Sequence, residues 1–197
     1  SRSTLSVSWR QPERPTAEEI AAARALILDD LLGDFPFTSL AERAHAVALL
    51  PLGFVRAMVD GPTPLHLIEK PTPGTGATLM VDAIATILTG TGASVMTEGH
   101  DDDEWRKRVT AKLRQIPSLL LIDNIHRKLD SSALAAALTA PFWEDRILGV
   151  SAMTPLPLRF VWSATGNNPE FPHALARTRV PTRRHSPLDP PRRPWGL

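Results

Sequence analysis

Residues 69–80 read EKPTPGTGATLM, a tight glycine turn with a hydroxyl two residues behind it. The stretch follows an apolar run, Leu65–Ile68. A loop of this kind can cradle a phosphate, because its backbone N–H groups and those of the following helix N-terminus converge on one anion. The full phosphate-loop pattern is G-x-x-x-x-G-K-[ST]. Laid on residues 71–78, Gly76 and Thr78 match, Pro71 replaces the first glycine, and Ala77 replaces the lysine. Pro73, Gly74, Thr75, Gly76, Ala77 and Thr78 are thus the candidate cofactor-binding residues, with Thr78 also a candidate for a magnesium ion. The ammonium that normally neutralises the β- and γ-phosphates is missing. Lys70, at the strand end, is a candidate to replace it, and Lys70→Ala would then abolish nucleotide binding. Otherwise Lys70 is solvated and the site binds nucleotide weakly or not at all, or Ala77 is a deliberate change from lysine.

Three more stretches carry the chemistry such a loop needs. SLLLIDN, residues 118–124, is an apolar strand ending in Asp123, which can hold Mg²⁺ through water or simply cap a helix. Many ATPases follow that acid with Glu; here it is Asn124, which orients water but cannot accept its proton. FVWSATGNNPE, residues 160–170, puts Asn167 where it could polarise an attacking water, although a Gly-Asn turn accounts equally for the composition. In HALARTRVPTRR, residues 173–184, Arg177 is a candidate arginine finger for a neighbour's γ-phosphate, with Arg179 the second choice. A basic tail with no fixed contact explains the same residues.

PLHLIEKPTPGTGATLM, RKRVTAKLRQIPSLLLIDNI, LDSSALAAALTAPFWEDRILG, ATGNN and ALART occur in that order, and together the run resembles the AAA+ ATPase domains of bacterial mobile-element replication proteins. Those domains are fused to primase-type modules or act beside them. The resemblance covers roughly residues 35–195. It implies a P-loop parallel sheet in the order 5-1-4-3-2, a nucleotide site for ATP at Gly74, Thr75, Gly76 and Thr78, and Mg²⁺ through Asp123. It also implies nucleotide sensing by Asn167, an intersubunit contact by Arg177, a ring-shaped homo-oligomer, DNA, and a primase-type partner. The chain departs from the family at Ala77, where Lys is usual, and at Thr178, where a second Arg is typical. No helical C-terminal lid is legible.

The elements that would position these residues alternate. Thr16 and Glu19 form a capping box before a helix whose apolar face is Ile20, Ala23, Leu26, Ile27 and Leu31. A second helix begins near Thr38 or Ser39, with Pro51 and Gly53 predicted to interrupt it. From Leu65 onward strands and helices take turns, which argues for an α/β sheet flanked by helices. From Pro172 on, Pro and Arg dominate and no element is predicted. The expected organisation is an N-terminal arm and helix over 1–34, a P-loop domain over 35–185, and a Pro/Arg-rich tail over 186–197.

Composition narrows the classes. A chain of 197 residues with 43% apolar content suits one soluble domain with an extra arm. Net charge of +1 gives no overall signature of nucleic-acid binding, but His173–Leu197 holds six arginines and one acid. The absence of cysteine excludes disulfides and thiolate metal sites and fits a cytoplasmic setting. No apolar run reaches the length of a membrane span. The run HDDDE, His100–Glu104, reads as a helix start more readily than as a metal cluster, and Trp105, Arg108 and Lys112 lie at helical spacing that could face DNA.

Overall fold

The computed structural model describes residues 14–70, 76–146, 153–167, 169–171 and 178–184. Contacts divide the chain into two units, Ser1–Asp34 and Phe35–Leu197. In the first, α1 spans Ala17–Ala25 and continues as a π-helical stretch, Leu26–Leu31. The capping box is made in both directions: Thr16 Oγ1 accepts from Glu19 N at 3.2 Å, and Thr16 N donates to Glu19 Oε2 at 2.8 Å. Ile20 and Leu26 are exposed. Gly33 follows because a Cβ there would fall 2.1 Å from the Asp29 carbonyl oxygen.

The second unit opens with α2, Leu40–Val55, capped by Ser39 Oγ, which accepts from Glu42 N. Pro51 and Gly53 do not interrupt it. Pro51 only forgoes one amide bond inside a helix held by buried Ala46, Leu49 and Leu50. Gly53 serves close packing, since a Cβ there would lie 2.3 Å from Leu88 Cδ1 of the neighbouring helix. The chain then alternates: β1 Leu65–Glu69, α3 Ala77–Thr89, β2 Ser94–Met96, α4 Asp102–Leu113, β3 Leu119–Ile125, α5 Ser132–Thr139. A hairpin follows, β4 Phe142–Arg146 antiparallel to β5 Met153–Pro157, and then β6 Val161–Gly166 and β7 Arg179–Arg183.

The five-stranded sheet is parallel throughout, in the order β2-β3-β6-β1-β7. Numbered without the hairpin, this is 2-3-4-1-5, the expected 5-1-4-3-2 read from the other edge. Leu65, Leu67, Leu120, Ile122, Trp162 and Ala164 face a core completed by α4 and α5, including Trp105, Val109 and Leu134. The alternate residues face the other way, where α2 and α3 pack.

Two elements went unpredicted. Strand β7 lies in the arginine-rich stretch and contains Pro181, which an edge strand tolerates because one row of its amides has no ladder partner. The second is the antiparallel hairpin of β4 and β5. Trp143 is buried from a strand, and its Nε1 donates to Thr110 Oγ1 at 2.8 Å. Trp105 is likewise buried, on the same helix face as Val109 and Leu113, so it is not offered for stacking on a base. The acids of HDDDE have structural roles. Asp101 caps α4, Glu104 accepts from His100 N, and Asp102 accepts from the Ser131 and Ser132 hydroxyls at the start of α5. Those serine bonds hold the Asp102 carboxyl below its ordinary pKa. Among the described residues, no helix is long and apolar enough to cross a membrane.

Two stability predictions arise here. Ile116 sits at φ 49, a left-handed conformation that a β-branched side chain resists, and it is 86% exposed. Ile116→Gly is expected to stabilise the protein by about 1 kcal/mol in urea unfolding, and a loss would remove the strain argument. His66 is buried on β1, and burial, then the nearby His45, lowers its pKa to about 4. Between that value and about 6.5 the unfolded chain binds a proton that the folded chain refuses. Stability from this group is therefore complete above about pH 6.5 and is lost as pH falls toward 4, about 3 kcal/mol in all. His66→Leu should flatten that part of the stability–pH curve, and an unchanged slope would refute the assignment.

Candidate phosphate site at the sheet's carboxyl edge

In open parallel sheets the crevice lies beyond the carboxyl ends of strands whose connections leave to opposite faces. Here β1 leads to α3 on one face and β3 leads toward α5 on the other, with β6 between them. Three side chains meet at that edge. Asp123, on the α3 side of β3, accepts through Oδ1 from Thr78 Oγ1 at 2.8 Å and from Thr165 Oγ1 at 2.6 Å. Thr78 is in the first turn of α3, and Thr165 is the fully buried penultimate residue of β6.

A bulge shapes the end of β3. The pairing of β3 with β6 shifts between Ile122 and Ile125, and Asn124 takes φ 60, which Asn tolerates better than most residues. The Asn124 amide donates to Thr165 Oγ1 at 2.9 Å, so one hydroxyl serves both the carboxylate and the bulge. The sequence reading missed Thr165. Its only sequence signal is a hydroxyl two positions before Asn167.

Among the described residues, no side chain caps the amino end of α3. Thr16, Ser39, Asp101 and Ser131 cap α1, α2, α4 and α5 with side-chain oxygens, whereas α3 begins at Gly76 with no side-chain cap. Gly76 has φ 72, a conformation that favours glycine. Its carbonyl accepts the first helical bond, from Met80 N at 3.0 Å. The amides of Ala77 and Thr78 lie ahead of that bond, and Ala77 is buried.

Lys70 directly follows β1, half-buried, and its amide donates to the Gly166 carbonyl at 2.9 Å. Asn167 follows β6 at the same edge. Pro73, Gly74, Thr75 and Arg177 lie outside the described residues. Arg179 is committed within the chain. Its Nη1 donates to Glu69 Oε1 at 3.1 Å, and its guanidinium lies 4.7 Å from the centroid of the Phe171 ring. Glu69 also accepts from Arg183 Nε at 2.9 Å, and Glu42 accepts from Arg183 N at 2.8 Å, tying β7 to β1 and α2.

The arrangement thus sets a carboxylate, two hydroxyls and an uncapped helix start around one end of the sheet. No protein-family model matches this chain, and no curated protein matches it in sequence.

Proposed function

We propose that residues 35–184 form the core of a AAA+-type P-loop domain that binds ATP with Mg²⁺ between α3, β3 and β6 and hydrolyses it slowly or not at all. The observation that carries this reading is the 2.8 Å contact between Thr78 and Asp123 at the crevice of a parallel sheet with the expected strand order. The donor set suits the ion. The Thr78 hydroxyl and the Asp123 carboxylate are the hard oxygen donors that Mg²⁺ prefers, and they would hold the ion with water completing its shell. Bound there, it would offset phosphate charge. The helix start at Gly76 suits an anion beside it.

Weak or absent hydrolysis follows from two residues. Asn124 has no carboxylate to take a proton from water, and Ala77 brings no cation to the γ-phosphate. The alternative, a non-hydrolysing architectural subunit that oligomerises or binds DNA, is favoured by the same pair. A place in DNA replication or mobile-element maintenance, as a ring helicase or initiator with Arg177 offered to a neighbour, rests on the motif resemblance alone.

Calorimetric titration with ATP, with Mg²⁺ and again with EDTA, tests the reading alongside a phosphate-release assay. Binding that needs Mg²⁺, with little release, is the expected result. Failure to bind at millimolar ATP would sink it.

A further inference from the structure

Arg184 stands immediately after β7 and is 3% exposed. Its backbone is fixed on two sides. Its amide donates to the Glu69 carbonyl at 3.2 Å, and it forms an antiparallel bridge with Phe37. The guanidinium carbon lies 4.8 Å from the centroid of the Phe35 ring. Nε and Nη1 are buried with no hydrogen-bond partner among the described residues. The neighbouring arginines are placed differently, since Arg179 and Arg183 both pair with Glu69.

The unpartnered end of this side chain points at the start of α3. A Cβ built on Gly76 would lie 3.6 Å from Arg184 Nη1 and 3.8 Å from Nη2. The guanidinium thus borders the residue before Ala77, beside the one α-helix start among the described residues that lacks a side-chain cap. Burying a cation with idle donors is costly unless an anion completes the site. Burial pushes Arg184 down to about 10, which leaves it charged at neutral pH.

We infer that Arg184 is the cation of an oxyanion site at the amino end of α3, holding a phosphate group between its guanidinium and the Ala77 and Thr78 amides, in place of the lysine absent at position 77. This rests on the nucleotide reading for the identity of the ligand, not for the anion site itself. A planar guanidinium can offer two parallel N–H bonds to phosphate oxygens, which an ammonium cannot. The positive charge has moved from the helix to the sheet edge while the anion position is kept.

The test titrates pyrophosphate and, separately, ATP with Mg²⁺ into the wild type, Arg184→Met, Arg184→Gln, Lys70→Ala and the double variant Ala77→Lys/Arg184→Met. Arg184→Met should lose at least about tenfold in affinity for both probes. It should melt no lower than the wild type, because it removes an unpaired buried charge. Arg184→Gln, which keeps polarity without charge, should show the same loss and stands in should the Met variant not fold. The double variant should regain most of the affinity, its lysine taking the vacated space. Lys70→Ala should lose less affinity than either Arg184 variant, because the proposal places the anion against Arg184. Wild-type affinity in both Arg184 variants, or loss in Lys70→Ala alone, overturns the proposal. Arg184-dependent pyrophosphate binding without ATP binding upholds it and removes the nucleotide reading. Magnesium-dependent ATP binding indifferent to Arg184 does the reverse, and failure of the wild type to bind either probe removes both.

Discussion

Asp123→Ala is expected to abolish the magnesium dependence of ATP binding while leaving the fold intact. Its carboxylate meets Thr78 and Thr165 at one oxygen, so among the described residues it is the acid placed to hold the ion of the proposed site beside the helix start. Loss of an ion-holding group typically costs about 10–100-fold in affinity, and that is the drop expected with Mg²⁺ present. With EDTA the variant and the wild type should bind equally or not at all. The cost to stability is small, about 1–2 kcal/mol, because two hydroxyl bonds are lost at a part-buried site and both hydroxyls can turn elsewhere. Far-UV circular dichroism and a urea curve separate the two effects. An unchanged magnesium requirement would show that the ion, if bound, sits elsewhere.

Arg56→Met should be the most destabilising single change away from the site. Arg56 follows α2, is buried, and spends its guanidinium on four carbonyls: Phe160 O at 3.2 Å, Val59 O at 2.9 Å, Gly61 O at 2.9 Å and Leu158 O at 2.7 Å. Burial first, then the nearby Arg159, lowers its pKa, yet a guanidinium remains charged. Methionine fills the volume but leaves those carbonyls without their donor, and about 3–5 kcal/mol of stability should go with them. That is a large share of a typical domain's total. Arg56→Lys should recover only part, since an ammonium cannot span four acceptors from one fork. A urea midpoint for Arg56→Met within error of wild type would mean that water replaces the clamp.

The elements that were legible share a cause. Their signals are local: the Thr16–Glu19 box, the apolar run of β3, the acids at the start of α4, and the glycine turn before α3. The missed elements are those whose local signal is contradicted by context. β5 carries Pro155 and Pro157, and β7 carries Pro181 among arginines, so neither looks like a strand until a partner supplies its pairing. Pro51 and Gly53 look like breakers, yet α2 is held by what it packs against, and Gly53 is there to admit Leu88. Trp105 fits a DNA-facing stripe until Val109 and Leu113 show which way that face turns.

The strand order came with the motif resemblance; the sequence's own pattern determined the alternation of strands and helices, the helix after Gly76 and the apolar run into Asp123, which β3 continues to Ile125. Short-range periodicity and capping chemistry suffice for these. Tertiary structure alone decided that Thr78 and Thr165 would share one carboxylate oxygen, and that Arg184 would come to rest beside Gly76. Those meetings join residues 45, 42 and more than 100 positions apart. They depend on the register of β3 against β6 and of β7 against β1, which is set by the burial of whole strands and not by any pattern a short window contains.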